Sequence, residues 1–143
     1  MWEKKSDDGS IHDQDDVYTW WDALSVFIPA LNQGSGFAGH TDWRLPNIKE
    51  LYSIAVGESA VGCVNPAVDA AFNNNCTPGC AVTECSCQWS SQNGDTLHYW
   101  SSTSFTDLPN GNNAWYVQFW CGGFTMVDSK GTKFSVRAVR GGP

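Results

Sequence analysis

The 143-residue sequence predicts one α+β domain in which two helices pack on a twisted antiparallel sheet. Three observations carry that expectation. Apolar residues recur at three- and four-residue steps over 17–31, Asn47 and Glu50 form a capping-box pair, and residues 98–139 hold four strand-like runs separated by turn residues.

Taken in order, Met1 to Lys5 reads as a strand, and residues 6–16, SDDGSIHDQDD, as a polar turn rich in carboxylates. Val17, Trp20, Trp21, Leu24, Phe27, Ile28 and Leu31 make the stripe of an amphipathic helix. Asp15 or Asp16 is expected to cap it and Gly34 to close it. Pro29 is discordant: it deletes the bond to Ser25 and is expected to kink or end the helix there. In "PNIKEL" the Asn47 side chain accepts from the Glu50 backbone while the carboxylate reaches back, which starts a second helix with the stripe Ile48, Leu51, Tyr52 and Ala55, ended by Gly57. Residues 58–97, dominated by Cys, Asn, Gly, Ser and Thr, are expected to be a long loop, stapled rather than packed. His98 to Phe105, Ala114 to Trp120, Phe124 to Asp128 and Phe134 to Val139 read as strands. The turns lie at Pro109-Asn110-Gly111, Cys121-Gly122-Gly123 and Lys130-Gly131.

Composition narrows the function. Hydrophobic residues make up 41% and charged residues 16%, the balance of a folded chain. Fifteen acidic against eight basic residues leave a net charge of −7, which repels phosphate backbones and anionic headgroups. Nucleic acid and membrane surfaces are therefore not expected as partners. No apolar run approaches the roughly 18 to 20 residues that cross a bilayer, and no basic-then-apolar signal segment opens the chain. Because the first residues already read as a strand, the domain is expected to belong to a longer secreted or surface protein.

Four of the six cysteines, Cys76, Cys80, Cys85 and Cys87, crowd into the loop. Disulfides in an oxidising compartment are the first reading, each contributing ~2–4 kcal/mol, and zinc is the rival. The spacing C-x3-C-x4-C-x-C lacks the C-x2-C knuckles usual in structural zinc sites, and connectivity stays open. Asp7, Asp8, Asp13 and Asp15 are candidate ligands for calcium, a hard cation taking several carboxylate oxygens, against a solvated acidic turn. Their spacing is not that of an EF-hand. His12, His40 and His98 lie in separate segments with no nucleophile or carboxylate at a telling spacing, so no catalytic constellation emerges.

"MWEKK", "YTWWDAL", "GHTDWRLPNIKEL", "YWSST", "AWYVQF" and "VRAVRGG" together resemble, in order, the hallmarks of the Lcl C-terminal domain family. The resemblance implies a C-type lectin-like fold, related to the formylglycine-generating enzymes, with first and last strands paired and the termini close together. Trp2, Trp20, Trp43, Trp100 and Trp115 are then expected in the core, with Arg44 and Arg137 pairing with buried carboxylates or carbonyls. The implied function is binding, since members are adhesive or display modules on bacterial and viral surfaces. One branch binds sulfated polysaccharides through basic patches, which an acidic chain suits poorly. Another serves as the variable protein of diversity-generating retroelements. The oxidase relatives use paired C-terminal cysteines at a copper site, whereas only Cys121 lies in the C-terminal strands. The Glu-Pro-Asn and Trp-Asn-Asp tripeptides of sugar-binding lectins are also absent.

The stretch "NNAWYVQFWCGG" supplies the candidate surface. With a period of two, Trp115, Val117 and Phe119 are expected to face the core, and Tyr116, Gln118 and Trp120 to face outward. Stiff amphipathic rings on an open face suit recognition. Ser104, Phe105, Asp107, Asn110, Asn112, Asn113 and Phe124, in the surrounding loops and strand ends, complete the expected contact set for a protein or glycan. The alternative is that Tyr116 and Trp120 pack beneath the cysteine-rich loop.

Overall fold

The computed structural model describes residues 1–56, 66–88, 97–106 and 111–141. Its strands are β1 (Val17–Tyr18), β2 (His98–Phe105), β3 (Asn113–Gln118), β4 (Phe124–Ser129) and β5 (Phe134–Ser135), joined in one sheet of order β1-β5-β2-β3-β4. Neighbours run antiparallel except β2 and β5, which pair in parallel through Tyr99 and Ser135. The sheet is thus mixed rather than purely antiparallel. After β4 the chain crosses back over the sheet and inserts β5 between β1 and β2. From there it meets the N-terminal segment: Trp2 bridges Val139, and the Met1 amino group donates to the Arg140 carbonyl at 2.7 Å. The first and last segments pair and the two ends adjoin, as the resemblance implies.

The first helical run differs from expectation at both ends. Val17 and Tyr18 pair with Ser135 and Phe134 as β1, so the helix starts later and Thr19, not Asp15 or Asp16, caps it by accepting from the Asp22 backbone at 3.1 Å. The run comprises α1 (Trp20–Asp22), a π-helical stretch (Ala23–Phe27) and α2 (Ile28–Leu31). Pro29 does not end it. The π stretch just before it lets Ile28 reach back five residues to the Ala23 carbonyl, so the chain widens around the missing donor and continues to Leu31. Trp20, Ala23, Phe27 and Leu31 are its buried face, while Trp21 and Leu24 of the expected stripe are exposed.

The second helix, α3 (Ile48–Tyr52), begins on the expected capping box: Glu50 N donates to Asn47 Oδ1 and Asn47 N to Glu50 Oε2, each at 2.9 Å. Arg44 grips the same carboxylate with both guanidinium nitrogens at 2.7 and 2.8 Å. That grip holds the Glu50 carboxyl down at about 2. Gly57, the expected stop, lies outside the described residues, and the helix gives way at Ser53.

Both faces of the sheet are covered. On one, Trp100, Ala114, Tyr116 and Phe134 pack with Trp20, Phe27 and Leu31; on the other, Tyr99, Val117 and Phe119 pack with Leu51 and Ile54. Beside them sits a buried polar frame. Arg137 donates to the carbonyls of Glu3 and Cys87, both at 2.9 Å, and to Gln88 Oε1. Burial pushes the Glu3 carboxyl up, but Lys5, His12 and the Ala138 N–H outweigh it and hold the group below its ordinary range. Burial lowers Lys5.

Within the expected loop, residues 66–88 carry a short 3-10 turn (Ala70–Phe72) and two disulfides, Cys76–Cys87 and Cys80–Cys85. Cys121 is also disulfide-bonded. No helix among the described residues is long and apolar enough to cross a membrane.

Candidate functional site

The outward set read from the strand period does not form one surface. Tyr116 is only 5% exposed: its ring lies 4.7 Å from Phe134 and 4.9 Å from His98, centroid to centroid. Burial, then the charge of Asp128, raises its phenol above the ordinary value. Gln118 is half-buried, opposite His98 and Phe124, and Trp120, beyond the end of β3, is 38% exposed. The expectation failed because a strand period assigns two faces but does not say that either is wet. With a helix over each face, the middle of β3 is covered on both sides. A strand apolar on both alternations is the signature of a sheet covered twice, and that signal was present in "AWYVQF".

The reversal favours Trp115, which the same period assigned to the core. It is half-buried, its ring edge-on to Phe105 at 5.6 Å, and it lines a shallow cleft of about 230 Å³ with Ile48, Lys49, Tyr52 and Thr125. Ile48, Lys49 and Tyr52 come from α3, Trp115 from β3 and Thr125 from β4. One glycine seats the β3–β4 turn against the end of α3. Gly123, at φ +78°, lies so close to the end of α3 that an added Cβ would stand 2.8 Å from Ala55 Cβ, and the Tyr52 ring is next nearest. A side chain there would push the β3–β4 turn off the helix.

Around this cleft the remaining expected residues divide. Phe124 and Met126, on the last strand in the sheet order, are 51% and 47% exposed, but they stand opposite Gln118 and Tyr116 and so project from the other face of the sheet, away from Trp115 and Thr125. Phe105 reaches the site through Trp115. Ser104 does not: its hydroxyl accepts from Lys130 Nζ at 2.7 Å, and the same ammonium donates to the Gly111 carbonyl at 2.9 Å and lies 4.3 Å above the Trp20 ring. Lys130 is buried, and it ties β2, the β2–β3 connection and the first helix together. Asn112 accepts from the Lys130 backbone at 2.9 Å and Asn113 opens β3, so both belong to the same joint. Asp107 and Asn110 lie outside the described residues.

The four acidic candidates also divide. Carboxylate oxygens of Asp7, Asp13 and Asp15 lie within 4.8 Å of one another. Asp8 is turned away to Ser10 and Ser6, whose hydrogen bonds lower its carboxyl to about 2. Asp13 accepts from the Gly9 and Asp15 backbones, and Asp7 from Gln14 and Gly79, so the turn uses these oxygens to hold itself. Burial, followed by repulsion from Asp13, Asp7 and Asp16, raises Asp15.

Neither curated proteins nor solved structures include a match to the chain. The model of the Lcl C-terminal domain matches residues 1–140. Its span takes in the paired chain ends, the capped α3 and every strand described above, and the chain belongs to the Lcl C-terminal domain family.

Proposed function

We propose that this domain is a non-catalytic binding module that meets a protein or glycan through its C-terminal strands, at the cleft between α3 and β3–β4. The observation that carries the reading is the half-buried Trp115 lining that open cleft opposite Tyr52. Two aromatic walls and Ile48 suit a bulky apolar group, while Lys49 and Thr125 supply polar contacts. The scarcity of polar lining favours a protein side chain over a sugar. The acidic balance weighs against the sulfated-glycan alternative and against nucleic acid. A formylglycine-generating oxidase is the lesser alternative, since the C-terminal cysteine pair is missing.

The C-type lectin-like fold, a place on a cell or virion surface within a longer protein, and diversification by a retroelement belong to the same proposal. Diversification would fall on Phe105, Trp120, Phe124 and their exposed neighbours, while Ser104 and Tyr116 serve the frame. It requires a near-copy of the 3′ coding segment close to the gene, with adenines at the varying positions. The function itself is tested by screening the domain against glycan and surface-protein arrays beside the Trp115→Ala and Tyr52→Ala variants. Ligands retained by wild type and lost by both folded variants support the cleft; ligands held equally by all three place the contact elsewhere.

A further inference from the structure

We propose that Cys76, Cys80, Cys85 and Cys87 form a zinc site when their two disulfides are reduced. The inference does not depend on the binding cleft. The two bridges are in contact: Cys87 Sγ lies 3.6 Å from Cys80 Sγ and 3.8 Å from Cys85 Sγ. The sulfurs of Cys76, Cys80 and Cys87 all fall within 4.8 Å of one another. Four thiolates bound to one zinc at roughly 2.3 Å stand about 3.8 Å apart, at the corners of a tetrahedron. Two of the six sulfur–sulfur spacings of such a tetrahedron are therefore already present; the two bonded pairs must part, and Cys76 must settle against Cys80 and Cys85.

The backbone that gathers these sulfurs is held by bonds other than the disulfides. Asn74 and Ser86 exchange backbone hydrogen bonds of 2.8 and 2.9 Å, Cys80 N donates to Thr77 O, Cys85 N to Ala81 O, and Cys87 N to Lys5 O. Three of the four cysteines are buried, and Cys76 is exposed, which leaves one side accessible to reductant and metal. A zinc tetrathiolate carries two negative charges, and a buried guanidinium is fixed to the backbone of this loop. Arg137 donates to the Cys87 carbonyl and keeps its Nε without a hydrogen-bond partner. The guanidinium held at the Cys87 carbonyl brings positive charge to the loop, which favours thiolate over thiol. The C-x3-C-x4-C-x-C spacing hides this arrangement, because the tetrahedron is assembled by a folded-back loop rather than by two knuckles.

The chemistry balances simply. Each disulfide takes two electrons and two protons from a dithiol, which is itself oxidised to a disulfide. The four resulting thiols bind one Zn²⁺ and release four protons to the buffer. The loop is thus braced in either state, by bridges when oxidised and by metal when reduced.

To test this, the whole domain is reduced anaerobically with a phosphine, freed of reductant and titrated with Co²⁺ and then Zn²⁺. The expected result is one cobalt per chain, with sulfur-to-cobalt charge-transfer and intense tetrahedral d–d bands that zinc bleaches in proportion. Cys76→Ser and Cys80→Ser should each weaken uptake by roughly tenfold or more, while Cys121→Ser leaves it unchanged. If reduction melts the domain by circular dichroism, zinc should restore the folded spectrum. Absence of tetrahedral thiolate bands, bands unchanged in Cys80→Ser, or a reduced chain that stays unfolded with zinc present would each overturn the proposal.

Discussion

Replacing Tyr116 by Ala separates a frame residue from a contact residue. The ring is packed between Phe134 at 4.7 Å, His98 at 4.9 Å and Trp100 at 6.0 Å, with almost none of it reaching solvent. Truncating a buried aromatic to Ala costs ~3–5 kcal/mol, of which the ring pairs supply about 0.5–1.5 kcal/mol each. For a domain of this size each kcal/mol lowers Tm by roughly 3 °C, so a fall of about 10–15 °C is expected. The hydroxyl contributes little, because it donates only to the Met126 sulfur at 3.5 Å and a thioether is a weak acceptor. Tyr116→Phe should therefore cost less than about 1 kcal/mol. Thermal and urea unfolding followed by circular dichroism measure both variants. A Tyr116→Ala protein that melts within about 2 °C of wild type yet loses its ligand would refute the two-sided sheet and return Tyr116 to the recognition surface.

Trp115→Ala should show the opposite pattern, with Tm little changed and array binding lost, because the ring lines an open cleft. Glu50→Gln keeps the capping geometry and loses the bidentate Arg44 pair, at about 1 kcal/mol once partial exposure of both groups is allowed for. Since the folded Glu50 carboxyl sits at about 2, below its ordinary 4.5, that contribution is complete above pH 4.5 and fades as pH falls toward 2. Wild type and variant should therefore converge in stability across that window, and a gap that persists at pH 2 would contradict the assignment. Lys130→Met removes both hydrogen bonds of a buried ammonium and the contact with Trp20, for ~2–4 kcal/mol read as a shift in urea midpoint. Because the acidic turn spends its oxygens on its own hydrogen bonds, calorimetry with calcium should give no saturable heat; a saturable signal abolished by Asp13→Asn would make it a cation site.

What could be read from the sequence was whatever a short segment settles within itself. The Asn47–Glu50 box needs only four consecutive residues, and it appears as expected. The runs from His98 to Phe105 and Phe124 to Asp128 carry their own strand propensity, and the observed strands match them to within a residue. The family resemblance rests on such local signatures, which is why the pairing of the chain ends could be anticipated from it.

Where two distant segments compete for the same residues, the sequence was silent. Val17 and Tyr18 fit a helical stripe, but β5 offers them backbone partners, so the helix starts at Trp20 and Thr19 becomes its cap. Six cysteines allow many pairings, and only the fold of residues 74–88 brings Cys76 to Cys87 and Cys80 to Cys85. The alternation of "AWYVQF" established two faces for β3. Which ring met solvent depended on what lies above each face: the first helix covers Tyr116, while α3 stops at Tyr52 and leaves Trp115 beside a cleft. By itself the chain determined its strands, its second helix cap and its acidic, cysteine-stapled character, because local backbone preference and charge are properties of neighbours in sequence. The tertiary structure alone decided which aromatic residue is available to a ligand, because exposure is set by the elements packed against a residue and not by the residue itself.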